Sequence, residues 1–203
     1  MYFKTVPPII RSLLPSNLEW EILTDRKEIF LTFDDGPIPD VTHWVLDQLD
    51  RVGAKATFFC VGDNVGKHPA IFAELEKRGH RTGNHTFNHL QAWRTDYVTY
   101  MDNTRKCADL VPGNLFRPPH GQITPRLAKE LGKNYRLIMW SLLTQDYDIN
   151  LNPEKILKIS LEKTKPGSIV VFHDSVKAWK NLEYTLPRFI DHFSGLGYSF
   201  RSL

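Results

Sequence analysis

Short runs that are apolar on both faces, separated by stretches of helical period, limit the fold of this chain more than any other feature. The runs are IFLTF (29–33), ATFFCV (56–61), HRTGN (80–84), LFR (115–117), YRLIMWSL (135–142), SIVVFH (168–173) and YSFR (198–201). Most lack alternating polar positions, the pattern of parallel strands covered on both faces. Between them, Val41, Val45, Leu46, Leu49 and Val52 keep a helical period, with Asp40 as expected N-cap and Gly53 as stop. Ile71, Phe72 and Leu75 repeat this before Gly79, and Leu182, Leu186, Phe189, Ile190 and Phe193 before Gly195. Thr124-Pro125 and Asn152-Pro153 each predict an N-cap followed by proline at the first helical position. Strand and helix alternating about seven times imply a parallel sheet with right-handed crossovers, either open or closed as a barrel.

The 203 residues suit one α/β domain, and a 41% hydrophobic content supplies a core. A net charge of +3 without runs of Lys or Arg argues against nucleic acid as a partner. GxGxxG and GKS/GKT loops are absent, so nothing suggests a nucleotide fold. Cys60 and Cys107 are too few for a disulfide framework. No stretch approaches the ~18 apolar residues of a membrane span. Residues 1–26 are expected to form a strap packed on the domain of residues 27–203; a weaker reading is a shallow membrane contact through Ile9, Ile10, Leu13 and Leu14.

The polar residues collect at the ends of the predicted strands, where such folds carry their chemistry. Asp34 and Asp35 follow the first run, His85 and His89 lie after the third, Arg117 ends the fourth, Asp146 follows the fifth, and His173 ends the sixth. Two adjacent carboxylates after an apolar run are costly without a cation. Neighbouring side chains point apart, so one can bind metal while the other deprotonates water. One Asp oxygen and two His nitrogens form a three-ligand set that leaves a zinc position open. The pair is not HExxH, because Thr86 stands where that motif has its glutamate, so the base must come from elsewhere, with Asp34 the natural candidate. Read alone, DDGP is equally an ordinary turn, and HxxxH is more often a pair of surface histidines. Arg117 is placed to pair with a strand-end carboxylate, and the backbone N–H groups of His120 and Gly121 are available to an oxyanion. His173 is either a satisfied core histidine or a general acid.

With these residues assembled, the chain resembles the polysaccharide deacetylases, the NodB-homology group of carbohydrate esterases. TFDDG (32–36), HTFNH (85–89), RPPHG (117–121) and VFHD (171–174) match the family's first, second, third and fifth motifs in order. The resemblance implies a single-domain, distorted (β/α)7-type barrel. It implies a divalent ion, zinc with cobalt as a substitute, on Asp35, His85 and His89. It also implies Asp34 as base with Arg117 as its partner, and His173 as acid. The fourth motif, commonly Asp-x-x-Asp-Trp, departs here: Leu143 falls at the first Asp and Tyr147 at the Trp, while Asp146 remains. The first Asp is the usual partner of the acid histidine, so His173 is expected to need another. His120 replaces the usual Tyr, and the acetate pocket is expected to be lined by Tyr147 and Val171.

The implied activity is removal of N-acetyl groups from an N-acetylglucosamine polymer, such as peptidoglycan or a chitin-like chain. Alternatives are other amides or esters (a formylated lipid-linked sugar, a small cyclic amide, O-acetyl xylan) and a non-catalytic carbohydrate-binding remnant. Trp93 and Trp179 either stack on sugar rings or belong to the core. Without a recognisable leader the expectation is a cytoplasmic protein, whereas the family resemblance points to the cell envelope.

Overall fold

The computed structural model describes residues 5–203, without the side chains of Pro8 and Ile9, so one of the four apolar strap residues lies outside the description. Among the described residues nine strands form one sheet: β1 (Leu18–Glu19), β2 (Glu28–Asp34), β3 (Thr57–Cys60), β4 (Arg81–Asn84), β5 (Leu115–Phe116), β6 (Arg136–Ile138), β7 (Leu142–Leu143), β8 (Ile169–His173) and β9 (Ser199–Phe200). Their order is β1-β6-β5-β4-β3-β2-β8-β7, all neighbours are parallel, and β9 pairs with β2. The predicted 135–142 strand is two strands, because Met139 to Ser141 leave the ladder between β6 and β7.

The N-terminal segment supplies a strand that the hydrophobic pattern does not announce. Leu18 and Glu19 pair with β6, Met139 N donates to Glu19 O at 2.7 Å, and Ile22 N donates to Gly167 O at 2.9 Å. With the bridge between Glu21 and Ser168, the segment spans the seam that the curled sheet leaves between β6 and β8.

The main helices are α1 (Pro8–Arg11), α2 (Val41–Asp50), α3 (Gly62–Lys67), α4 (Pro69–Lys77), α5 (Tyr97–Ala108), α6 (Pro125–Leu131), α7 (Pro153–Lys163) and α8 (Trp179–Gly195). Thr124 and Asn152 cap as expected, their side chains accepting from Leu127 N and Glu154 N. Asp40 does not: its φ is 63° and its side chain makes no cap bond, so α2 begins on backbone geometry alone. Among the described residues no helix is long and apolar enough to cross a membrane.

Strand alternation puts the chemistry in place. On β2, Ile29, Leu31 and Phe33 pack outward with Leu46, Leu49, Leu186 and Phe189 of α2 and α8. Phe30, Thr32 and Asp34 therefore point inward. On β8 the inward set is Ile169, Val171 and His173. Phe30 and Ile169 share the inner cluster with Phe59, Leu115 and Ile138 at the closed end. The register aligns Asp34 with His173, so an acid and an imidazole meet where both strands leave the sheet.

Candidate active site

Arg117, fully buried just past β5, is the pivot of the site. Its Nη1 donates to Asp34 Oδ1 and to Thr32 Oγ1, each at 2.7 Å, Nη2 donates to Met139 O at 2.9 Å, and Nε donates to Ile138 O at 3.3 Å. The guanidinium also lies over the Phe59 ring at 4.2 Å. A buried cation persists only when paired and hydrogen-bonded; here one bond fixes Asp34, and those to Thr32, Ile138 and Met139 hold the guanidinium in place.

Asp35 turns the other way. Its φ of 84° swings the side chain toward the loop after β4, and its carbonyl is held by Asn64 Nδ2 at 2.7 Å. That loop is not helical. Thr86 and His89 have φ of 61° and 55°, and Asn103 of α5 pins the turn by accepting from Phe87 N and Asn88 N. Backbone held in such sparsely populated conformations is characteristic of functional sites. Asp35 Oδ1 lies 3.3 Å from His89 Nε2 and 3.9 Å from His85 Nε2, and one donor atom from each residue lies within 4.8 Å of the others. His85 Nδ1 donates to Arg117 O at 2.8 Å, which leaves the Nε2 lone pair facing Asp35. Burial pushes His85 down to about 4, so its imidazole is neutral, as a metal ligand must be. Burial works to raise Asp35, but His173, His89, His85 and His120 together hold its carboxyl below the usual range. One carboxylate oxygen and two imidazole nitrogens facing one point fit a divalent cation with positions left open.

His173 does have a carboxylate partner. Asp146, fully buried, takes His173 Nδ1–H on Oδ1 at 2.7 Å and His173 N–H on Oδ2 at 2.8 Å. The partner that the missing first Asp of the fourth motif left open is the motif's remaining acid. Gln145, with φ 64°, redirects the chain after β7 and turns Asp146 inward, while Asn181 of α8 holds Asp146 O at 2.8 Å. Burial works to lower His173, but the charge and hydrogen bond of Asp146, then the charges of Asp35 and Asp34, outweigh it and raise the imidazole to about 9. A cation on Asp35 would weaken that field and bring the value toward neutrality.

Residues 22–136 match the family model described as polysaccharide deacetylase. The chain belongs to the polysaccharide deacetylase family. It is 33% identical over 196 residues to a peptidoglycan-N-acetylglucosamine deacetylase of Bacillus cereus, covering 89% of this chain and 88% of that one. It is likewise 33% identical over 161 residues to a chitooligosaccharide deacetylase of Azorhizobium caulinodans, covering 75% and 76%. The crystal structure of a peptidoglycan N-acetylglucosamine deacetylase superposes with a TM-score of 0.85 at 28% identity, covering 92% of this chain and 91% of the other.

In this member of the family the three groups open onto one cleft of about 320 Å³, walled also by Gln91, His120, Trp140, Leu143, Tyr147 and Lys177. The Tyr147 ring stands edge-on to His173 at 4.8 Å. Val171 does not line the cleft: paired with Leu143 in the sheet, it is wholly buried, and Leu143 and Trp140 form the apolar wall. Of the two expected oxyanion donors only one is free, because Gly121 N donates to Pro118 O at 3.0 Å. The His120 N–H donates to no acceptor among the described residues, and the residue's φ of 58° sets it off the preceding prolines. Gly121 serves packing instead, since a Cβ there would sit 2.3 Å from the Trp140 ring.

The sequence reading assigned no role to Asp174. It accepts from Thr42 Oγ1 at 2.6 Å and Gly36 N at 3.1 Å, bracing the turn that presents Asp35. Burial, then the charge of Asp35, pushes it up to about 8 against those hydrogen bonds. The only signal for it was its place beside His173 at a strand end. Trp179, partly buried, packs edge-on against Trp44 and against the outer core, whereas Trp93 is exposed.

Proposed function

We propose that this chain is a zinc-dependent hydrolase that removes N-acetyl groups from an N-acetylglucosamine polymer, with peptidoglycan as the first candidate and chitin-like oligomers as the second. The observation that carries the reading is the convergence on one cleft of the Asp35, His85 and His89 donors, the Asp34–Arg117 pair and the His173–Asp146 pair. The names of the relatives supply the sugar. Peptidoglycan as substrate would require the enzyme to work at the cell envelope.

Asp35, His85 and His89 would hold the ion, which when bound supplies Lewis-acid polarisation of the acyl carbonyl and a water of lowered pKa. Asp34, fixed by Arg117, accepts a proton from the attacking water as its oxygen bonds to the carbonyl carbon. The free His120 N–H donates to the oxygen on which negative charge develops. His173, its Nδ1–H held by Asp146, presents Nε2 to the departing nitrogen. Its proton passes to that nitrogen as the C–N bond breaks, releasing acetate and a free amine. Leu143, Trp140 and Tyr147 keep water from the rest of the acyl group.

The test is acetate release from N-acetylglucosamine oligomers, peptidoglycan fragments and O-acetylated xylan, with zinc or cobalt added. The expected result is chelator-sensitive release from the amino-sugar substrates, loss of metal in Asp35→Ala, and loss of turnover with metal retained in His173→Ala. Metal binding without acetate release from any of them would sink the deacetylase reading.

A further inference from the structure

A second cavity, of about 530 Å³, opens directly off the catalytic cleft and shares Gln91, His120, Gly121 and Trp140 with it. One wall is the N-terminal segment, through Ile10, Leu14, Leu18 and Trp20. These residues precede residue 22, where the match to the family model begins, so the wall is not part of the matched domain. Trp20 is set rigidly, edge-on to Trp140 at 6.4 Å, with the Arg11 guanidinium 5.2 Å from its ring. At the mouth stands Trp93, 69% exposed although it sits at the lip of an apolar hollow.

We propose that this strap-walled groove is a subsite for the sugar next to the one being deacetylated, with Trp93 as its stacking platform. The inference rests on the deacetylase reading for its occupant. A polymer whose N-acetyl group reaches Asp34 and His173 must lead its neighbouring ring out of the cleft, and the cavity that shares a wall with the cleft receives it. A pyranose offers an apolar C–H face to an aromatic ring and hydroxyls at its edge. The groove answers with indole and aliphatic surface on its walls and with Gln91 and Arg94 at the rim. The groove makes the enzyme selective for oligomers over single amino sugars, and the N-terminal segment a determinant of that selectivity.

The experiment compares the metal-loaded parent with Trp93→Ala and Trp93→Tyr on the monomer and pentamer of N-acetylglucosamine. It measures kcat/KM for acetate release and, separately, the change in tryptophan fluorescence on titration with each sugar. Expected is a kcat/KM for the pentamer that falls about tenfold more than that for the monomer in Trp93→Ala, carried by KM, with most of the loss restored by tyrosine. Equal loss on both lengths, or none, in an active parent overturns the subsite and leaves the deacetylase reading standing. A parent that releases no acetate yet shows pentamer binding that is lost in Trp93→Ala keeps the groove as a sugar site and overturns the deacetylation. Failure of the pentamer to bind or react overturns both.

Discussion

Arg117→Met tests the central ion pair. The change removes a cation with no exposed surface, yet leaves the Asp34 carboxylate at 5% exposure and frees the carbonyls of Ile138 and Met139 from their donors. An uncompensated buried charge costs about 3–5 kcal/mol, a large share of the ~5–15 kcal/mol that holds a domain together. The assay is guanidinium denaturation at neutral pH with chelator present, on the parent, Arg117→Met, Asp34→Asn and the double variant. Arg117→Met is expected to cost the most. The double variant should cost less than the sum of the singles, with a coupling of about 2 kcal/mol, because it strands no charge. Turnover should already be lost in Asp34→Asn, by about 10²–10⁴-fold. Additivity within about 0.5 kcal/mol would refute the argument, since two groups that add independently do not hold each other.

Asp146→Asn should lower kcat about 10²-fold with metal content intact, and move the basic limb of the kcat–pH profile to lower pH, because the charge that raises His173 is gone; an unmoved limb would remove Asp146 from the acid's machinery. His85→Ala should abolish stoichiometric zinc binding measured by metal analysis, and retention of a full equivalent would exclude this ligand set. His80, buried with Nδ1 accepting from Ala56 N, is pushed by burial, then by Lys55, down to about 4. Its folded pKa lies below its unfolded value, so its stabilising effect is complete above pH 6.5 and is lost as pH falls toward 4, roughly 3 kcal/mol across that window. Denaturation midpoints from pH 7 to 4 should show that slope, and His80→Gln should reduce it, leaving the share that His85 carries. Gly36→Ala would place a Cβ 2.0 Å from Asp174 Oδ2 and should cost about 1–3 kcal/mol by thermal melting; an unchanged melting temperature would remove Asp174 as the brace of that turn.

Much of the fold was legible because its signals are local. The two-faced apolar runs became β2, β3 and β8, and Thr124 and Asn152 cap as their proline neighbours predict. The short β1 was not legible, since two residues carry no period and pair with a strand more than a hundred positions away. Val171 was misplaced for a related reason. Its spacing from His173 puts it on the inward face, but whether an inward residue reaches the cleft depends on what stands above it, here Leu143 and Trp140.

The sequence by itself determined the chemical inventory: the acid pair after β2, the two histidines, Arg117 and His173, each at a strand end where parallel α/β folds expose reactive groups. Only the tertiary structure decided how these groups pair. Counting along the fourth motif left His173 without its acid, because counting assumes an extended chain, and the left-handed turn at Gln145 breaks that assumption and delivers Asp146. A backbone turn likewise spends the Gly121 N–H and frees that of His120. Residue type and spacing fix which chemistry is available. Loop dihedrals and long-range hydrogen bonds, set by packing between distant segments, fix which atom faces which.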